Sequence, residues 1–277
     1  MGLAMPDPYS PSPSVVIGFD GSRPAMQAAL WAIDEAVDGD VVLQLVYAID
    51  SLDSDAGDGT SELATAERVV HQAFTAIEAT GKPVKIEADI VHCPAITALT
   101  EASRSATMLC VGSAGLKHAV KGRTGSTAAA LARSAHCPVA IVPTSAGPAS
   151  DGWVLAVVNG SPFGRAVMEL AVSEAALRRA PLRVLNTGTR ADRNGVAAQL
   201  DRHLAAWRRN HPDVDIESTT FPGSVVNYLD YLHRNSEPVQ LVVLDPGRAD
   251  DLLGPTGRAA LDATRCSLLI SDRQCWL

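Results

Sequence analysis

The chain has few residues of the kinds that build disulfide frameworks, metal centres or nucleic-acid surfaces. Its 277 residues include five cysteines with no CxxC pair, which argues against a disulfide scaffold or zinc site and favours reduced, packed thiols. The seven histidines show no ligand spacing. Acidic residues outnumber basic ones by 31 to 23, for a formal net charge of −8, so neither nucleic acid nor membrane is an expected partner.

Long apolar runs and well-known catalytic motifs are also missing. No apolar stretch approaches the roughly 18 residues of a membrane helix. Residues 1–13, rich in proline and serine, lack the basic start and apolar core of a signal peptide, so we expect a disordered N-terminus on a cytoplasmic protein. There is no GxSxG, HExxH or GxxxxGK[ST] motif, and no GxGxxG follows the first predicted strand. The sequence therefore predicts no catalytic residue and no metal ligand.

The most informative stretch that is present spans residues 108–143. It reads as an apolar strand (108–111), a loop punctuated by glycines (112–125), an alanine-rich helix that opens at Ser126, and a second apolar strand from Val139. Glycines allow backbone N–H groups to approach a ligand closely, and a helix N-terminus adds unpaired donors and partial positive charge. This arrangement is suited to hold an anion.

The charge of this stretch favours the same interpretation. Residues 102–150 contain no Asp or Glu, although the chain as a whole is acidic. The basic residues in this interval are Arg104, Lys117, Lys121, Arg123 and Arg133. A local cationic region in an acidic protein suggests a bound polyanion such as a phosphate chain. The alternative is a surface loop that is basic without a ligand.

Strands and helices alternate along the whole chain, which predicts an α/β fold with an open parallel sheet and helices on both faces. The predicted strands of the first half are 15–19, 41–49, 84–91, 108–111 and 139–142, and the helices are 24–36, 62–80, 95–103 and one from residue 126. The first strand ends in Asp20-Gly21-Ser22 and the fourth ends at Gly112. Both ends are expected to face one crevice at the carboxyl edge of the sheet.

The second half repeats this order. Its predicted strands are 153–158, 181–186, 214–221, 239–244 and 266–270, and its helices are 163–179, 192–211, 224–234 and 256–264. The strand end Asn159-Gly160-Ser161 and the helix segment 171–175 lie 139 residues after Asp20-Gly21-Ser22 and segment 32–36. This offset predicts a tandem duplication, with domains 14–143 and 152–277 joined by a linker at 144–151.

A known family fits these motifs. The glycine pattern Gly112-x2-Gly115-x9-Gly125-Ser126, with the strand end Gly18-Phe19-Asp20-Gly21-Ser22 before it and Cys137-Pro138-Val139 after it, resembles the universal stress protein family in its tandem form. The resemblance covers essentially the whole chain. It implies two Rossmann-like domains, each with five parallel strands in the order 3-2-1-4-5, and it implies ATP, with Mg²⁺, as the ligand.

The resemblance also implies which residues bind the nucleotide. They are Gly18, Asp20, Ala48, Gly112, Gly115, Gly125, Ser126 and Thr127. Asp20 would accept a hydrogen bond from a ribose hydroxyl, Ala48 would contact adenine through its main chain, and the last five would shape or line the phosphate loop. We add Lys121 and Arg123 as nearby cations. The alternative role for Asp20 is to cap the helix that follows.

The second repeat departs from this pattern. Gly247 and Gly257 keep the ten-residue step, but Leu244 replaces the first glycine, Arg258 replaces the serine and Asn159 replaces Asp20. The loop also carries three aspartates, at positions 245, 250 and 251, which would repel phosphates. We therefore expect one ATP site, in the first repeat.

The leading hypothesis is an ATP-binding regulator of stress or dormancy responses, with slow hydrolysis at most and an unidentified protein partner. One alternative is a weak ATPase or nucleotidyl transferase. Another is an interaction module that works without nucleotide. Strands 139–142 and 266–270 would be apolar sheet edges, which invite aggregation unless they are covered. The resemblance implies that these two last strands pair with each other, which a tandem chain could do internally as an intrachain pseudo-dimer; homodimerisation is a further possibility.

Overall fold

The computed structural model describes residues 12–50, 59–114, 126–144, 152–158, 164–187 and 193–272. Strands and helices alternate through these ranges. The strands are β1 (Ser14–Gly18), β2 (Val42–Ala48), β3 (Ile86–Val91), β4 (Ala106–Gly112), β5 (Val139–Val142), β6 (Trp153–Val158), β7 (Leu182–Asn186), β8 (Ile216–Thr220), β9 (Val239–Leu244) and β10 (Ser267–Ile270). The helices are α1 (Arg23–Asp38), α2 (Gly59–Glu78), α3 (Ala95–Ala102), α4 (Ser126–Ser134), α5 (Gly164–Arg178), α6 (Arg193–Asn210), α7 (Val225–Arg234), α8 (Ala249–Leu253) and α9 (Pro255–Thr264).

All ten strands belong to one sheet, in the order β3-β2-β1-β4-β5-β10-β9-β6-β7-β8. The first five strands follow the predicted order 3-2-1-4-5, and the second five follow it in mirror order. Neighbouring strands are parallel except at the centre, where β5 and β10 pair antiparallel with Leu268 opposite Ile141. The predicted α/β fold is confirmed. Because the central pair is antiparallel, the carboxyl ends of the two sets of strands lie at opposite edges of the sheet.

The inner strands of the sheet form because their apolar side chains are buried on both faces, whereas the end strand β3 alternates half-buried and exposed residues. In β1, Val15 and Ile17 belong to one core cluster and Val16 belongs to the other, and each is at most 1% exposed. Alternate residues of a strand point to opposite faces, so a strand covered on both sides is a continuous apolar run. This explains why runs such as 139–142 identify strands in the sequence.

Helix α1 begins where the sequence offers a start signal. Ser22 is the N-cap, and its Oγ accepts a hydrogen bond from the backbone N–H of Ala25 at 3.2 Å. Pro24 occupies the first turn, where its missing N–H has no cost. The buried face is mostly alanine, which lets the helix lie close to the sheet.

The main difference from the predicted elements lies between β9 and α9. The sequence predicts a loop there, but the structure contains a 3₁₀ turn at Pro246–Arg248 followed by α8. The start signal is the pair Asp245-Pro246, because Asp245 Oδ1 accepts from the N–H of Gly247 at 2.9 Å. This segment is not a surface loop, because Leu252 of α8 is fully buried.

The cysteines are consistent with reduced thiols. Cys110, Cys137 and Cys266 are buried and free, and Cys93 is half-buried and free. Of the helices in the described ranges, none has the length and apolar character needed to cross a bilayer. The predicted disordered N-terminus falls mostly in residues 1–11, and the predicted linker mostly in 145–151; both segments lie outside the described residues.

Candidate functional site

The candidate site lies at the carboxyl ends of β1 and β4. Helices α1 and α2 contribute to the core on one face of the sheet, whereas α3 and α4 contribute to the core on the other. Strands β1 and β4 pair directly in the sheet. After β1 the chain continues into a helix on one face of the sheet, and after β4 it continues into a helix on the other face. Such a switch point opens a crevice between the two strand ends, which is where α/β proteins bind ligands.

The glycines at the two strand ends are closely packed, Gly18 against side chains and Gly112 against backbone. A Cβ on Gly18 would lie 2.8 Å from Leu99 Cδ1 and 2.9 Å from Val111 Cγ1. A Cβ on Gly112 would lie 2.5 Å from the carbonyl carbon of Pro24 and 2.7 Å from the nitrogen of Ala25. Gly112 thus brings the end of β4 against the first turn of α1. Both glycines therefore allow close packing at the ends of β1 and β4.

Asp20 sits in a tight turn between β1 and α1. Its Oδ1 accepts from the backbone N–H of Ser22 at 2.9 Å, and the side chain of Ser22 in turn caps α1. Gly21 has φ = +78°, and a Cβ there would lie 2.4 Å from Val69 Cγ1 of α2. The alternative that Asp20 itself caps the helix is therefore wrong. Ser22 is the N-cap, and Asp20 accepts a hydrogen bond from the backbone of Ser22.

Ala48 reaches the same edge on the neighbouring strand. Gly18 pairs with Val46 in the sheet. Asp20 lies two residues after Gly18 and Ala48 lies two residues after Val46, so both residues lie at the same edge. The pKa of Tyr47 is raised by burial and further by the charges of Asp20 and Glu62, with Arg68 opposing them. The carboxylate of Asp20 is therefore within electrostatic reach of the end of β2. The structure brings Gly18, Asp20, Ala48 and Gly112 together, as predicted.

The phosphate loop is only partly described. Gly115, Lys121, Arg123 and Gly125 lie outside the described residues, as does the side chain of Ser126. Helix α4 begins at Ser126, as the sequence predicts, and Thr127 is half-buried in its first turn.

Two of the cations in the acid-free stretch have acidic partners elsewhere. Arg104 Nε lies 2.9 Å from Glu101 Oε2, and Arg133 Nη1 lies 2.9 Å from Asp250 Oδ1 of α8. The positive charge of the interval 102–150 is correspondingly reduced. The other basic residues of the interval, at positions 117, 121 and 123, lie outside the described residues.

The equivalent region of the second repeat is filled by backbone. A Cβ on Gly257 would lie 2.3 Å from the carbonyl oxygen of Asp251 and 2.4 Å from Leu252 Cα, so α8 packs directly on α9. Asp250 and Asp251 are part of that helix. Gly257 therefore keeps the spacing of the glycine motif for a packing reason. The signal that sequence reasoning missed is Asp245-Pro246, which starts the extra helical segment.

Arg258 points toward the first repeat. Its side chain is 10% exposed, with Nε 3.7 Å from Asp262 Oδ2, and burial lowers its pKa against the opposing effect of Asp262. Together with Ser113 and Pro143 of the first repeat, it lines a cavity of about 20 Å³, which is roughly room for one water molecule. Arg258 takes the position of the motif serine and contributes to the contact between the repeats.

Comparisons with known proteins agree with this architecture. A family model described as the universal stress protein family matches residues 13–143. The chain is 41% identical over 270 residues to universal stress protein Rv2028c of Mycobacterium tuberculosis strain H37Rv, covering 95% of this chain and 97% of that protein. It is 44% identical over 259 residues to Rv3134c of the same strain, covering 90% and 94%.

Solved structures share the fold at low sequence identity. The crystal structure of a universal stress protein from Archaeoglobus fulgidus matches with a TM-score of 0.74 at 14% identity, covering 94% of this chain and 98% of that one. A universal stress protein structure from Pseudomonas aeruginosa matches with a TM-score of 0.58 at 17% identity, covering 94% and 92%. At these identities the likeness concerns the fold.

Proposed function

The chain belongs to the universal stress protein family, and we propose that it is a nucleotide-dependent regulator of stress or dormancy responses that binds ATP at one site, in the first repeat. The repeats are two domains, 14–143 and 152–277, joined as an intrachain pseudo-dimer through β5 and β10. The observation that carries the proposal is the turn Asp20-Gly21-Ser22 at the switch point, next to the end of β2.

Two features of the described residues fit a nucleoside phosphate. The carboxylate of Asp20 is fixed by the Ser22 N–H, so it is a preorganised acceptor for a ribose hydroxyl, with Ala48 at the neighbouring strand end for the base. The first turn of α4 follows the glycine loop, and the N–H groups of a first helical turn lack partners within the helix. Ser126 and Thr127 would donate to the phosphates there, and Lys121 and Arg123 would balance their charge.

ATP would act as a signal through its effect on the populations of two states. A ligand shifts an equilibrium only by its differential affinity for the two forms. Residues 115–125 follow β4 in the sequence and the turn at Asp20 follows β1, so a nucleotide that contacts both segments would favour one arrangement of them. A protein partner that recognises that arrangement would detect the bound form.

The second repeat is proposed not to bind ATP. The backbone of α8 occupies the space at Gly257, where a phosphate would need to approach, and the aspartates of that helix would repel it. This is a steric argument in addition to the charge argument made from the sequence.

A nucleotide-independent interaction module is the second candidate, because one observation favours it. Gly18 and Gly112 each have a packing neighbour within 3 Å of the position of a Cβ. Gly112, whose neighbours are backbone atoms, would therefore be needed by the fold even in a protein that had lost its ligand. The presence of these glycines alone does not distinguish the two functions.

The decisive experiment is to denature freshly purified protein and identify any released nucleotide by chromatography. We expect about one ATP per chain, as for a single working site. If none is released, ATP with Mg²⁺ is added and binding is measured by calorimetry. Failure at both steps contradicts the ATP proposal and favours the module, whereas ATP turnover well above the buffer background would favour the weak ATPase or nucleotidyl transferase.

A further inference from the structure

A buried ionic cluster lies where α1 of the first repeat meets α5 of the second. The side chains of Glu35, Glu174 and Arg178 are 9%, 3% and 10% exposed. Arg178 Nη2 lies 2.7 Å from Glu35 Oε1, and Arg178 Nη1 contacts Glu174 Oε2. The ring of Trp31 lies under the guanidinium, with its centroid 4.5 Å from the central carbon. This cluster is separate from the proposed nucleotide site.

The two glutamates occupy equivalent positions in the two repeats, 139 residues apart. They meet because the antiparallel pairing of β5 with β10 places α1 next to α5. Arg178 has no counterpart in the first repeat, where the equivalent position is Gly39. One guanidinium therefore serves two carboxyl groups.

The charges within the cluster do not balance without a proton. Arg178 contacts one carboxyl oxygen of Glu35 and one of Glu174, so a single guanidinium faces two buried carboxyl groups. A hydrogen bond between two carboxyl groups forms only when one of them is protonated. The contact between Arg178 Nη1 and Glu174 Oε2 is an ion pair without hydrogen-bond geometry. Among the described residues, neither atom has a hydrogen-bond partner. Two ionised carboxylates here would leave a net negative charge buried.

Two nearby aspartates add to the negative potential: Asp34 acts on Glu35 and Arg178, and Asp38 acts on Glu174. The buried thiol of Cys110 in β4 lies within electrostatic reach of both glutamates but stays neutral, because burial raises its pKa. Lys82 is the neighbouring cation, and it pairs with Asp34 at the exposed end of α1. Among these groups, none gives either glutamate a second direct contact with a cation, as Arg178 does.

We propose that Glu35 and Glu174 share one proton, and that this proton links the packing of the two repeats to pH. We call the two residues the glutamate pair. The link does not depend on a nucleotide, because it lies between α1 and α5 and uses no residue of the proposed ATP site.

The direction of the link follows from the pKa of the pair. Burial raises the pKa of Glu174 to about 8, with Glu35 adding to the rise and Arg178 opposing it. Burial also raises the pKa of Glu35, with Arg178 again opposing. The folded chain thus binds more protons here than the unfolded chain, in which the usual value is 4.5. The stabilisation is fully present below that value and is lost as pH rises through about 8.

The test compares the parent with Glu174→Gln and Glu35→Gln by denaturant unfolding between pH 5 and pH 9. A glutamine amide donates to the remaining carboxylate without a shared proton. The ratio of the parent's unfolding equilibrium constant to that of either variant should therefore rise with pH, by at most about tenfold per pH unit, and level off above the pKa of the pair. Glu169→Gln is the matched control, because Glu169 lies on the same helix and pairs with Arg165 at the surface; it should leave the pH dependence unchanged.

A second measurement keeps the proposal testable if a variant does not fold. Infrared spectra of the parent should contain the C=O stretch of a protonated carboxyl group at neutral pH, and the band should disappear as pH rises above the pKa of the pair. Absence of that band at neutral pH overturns the proposal. A parent and a Glu174→Gln variant with the same pH dependence of stability overturn it as well.

Discussion

Asp20 is a residue whose side chain is held in place by its own turn. Its Oδ1 accepts from the Ser22 N–H, and Ser22 Oγ accepts from the Ala25 N–H, so the carboxylate is fixed relative to the start of α1. A group that is already ordered loses little entropy when it binds. In the turn, Asp20 needs only an oxygen that accepts a hydrogen bond. In the proposed binding of ATP, the negative charge of Asp20 also contributes.

Substitution of Asp20 by Asn is the residue-scale test of the ATP site. The amide oxygen still accepts from Ser22, so the fold should be retained. Loss of a charge-assisted hydrogen bond should weaken ATP binding by about tenfold, equivalent to about 1.4 kcal/mol, in calorimetric titrations. Asp245→Asn is the matched control, because Asp245 makes the same contact with Gly247 N–H at 2.9 Å in the second repeat. Equal losses in both variants would contradict a single site in the first repeat.

Gly112→Ala tests the packing role of the glycine at the end of β4. The new methyl group would lie 2.5 Å from the backbone of Pro24, which cannot move without displacing the first turn of α1. We expect a loss of about 1–3 kcal/mol in the free energy of unfolding, measured with denaturant. Gly164→Ala, where nothing lies within 4 Å of the Cβ position, should cause no loss. Equal stability of Gly112→Ala and the parent would show that the close approach is relieved elsewhere.

At the scale of elements, the inner strands were predictable because burial on both faces of the sheet requires a continuous run of apolar residues. The apolar runs 153–158 and 239–244 coincide with β6 and β9. The sequence did not predict helix α8, because a segment this short and rich in aspartate has the composition of a loop. The contact of the α8 backbone with Gly257 stabilises the helix, but the residues in contact share no sequence pattern. At the site, the positions of Gly18, Asp20 and Ala48 followed from strand order.

The same substitution at two equivalent glycines should therefore cause two different defects. Gly125→Asp is expected to abolish ATP binding while the protein remains folded, because it adds a carboxylate to the predicted phosphate loop. The sequence predicts that Gly257→Asp changes ATP affinity little, because no ATP site is expected in the second repeat. The structure adds an effect on stability: the new Cβ would lie 2.3 Å from the carbonyl oxygen of Asp251, so we expect a loss of about 3 kcal/mol or more of stability, in line with severe overpacking.

Thermal unfolding and ATP titration of both glycine variants distinguish these outcomes. Gly257→Asp protein that remains folded at low temperature should bind ATP as the parent does. A Gly257→Asp variant with unchanged melting temperature would show that α8 does not depend on its contact with α9. A Gly125→Asp variant that binds ATP as tightly as the parent would place the phosphates elsewhere.

At the scale of the whole molecule, the chain covers its own most apolar edges. Strands β5 and β10 are buried along their full length, and their pairing joins the two repeats into a continuous sheet. The strands left at the two ends, β3 and β8, carry acidic residues such as Glu87, Asp89 and Glu217. Charged side chains on edge strands discourage pairing with another molecule.

A continuous sheet should make the two repeats unfold together. Leu269 of β10 is fully buried opposite Ala140 of β5, and Leu269→Ala should cost about 2–5 kcal/mol because it leaves a cavity at the centre of the sheet. Since the cavity touches both repeats, tryptophan fluorescence and far-ultraviolet circular dichroism should follow one shared transition that moves as a whole. Leu63→Ala, on the exposed side of α2, should move it little. Two separate transitions, of which only one shifts, would mean that the repeats are independent folding units and that β5–β10 pairing only holds them side by side.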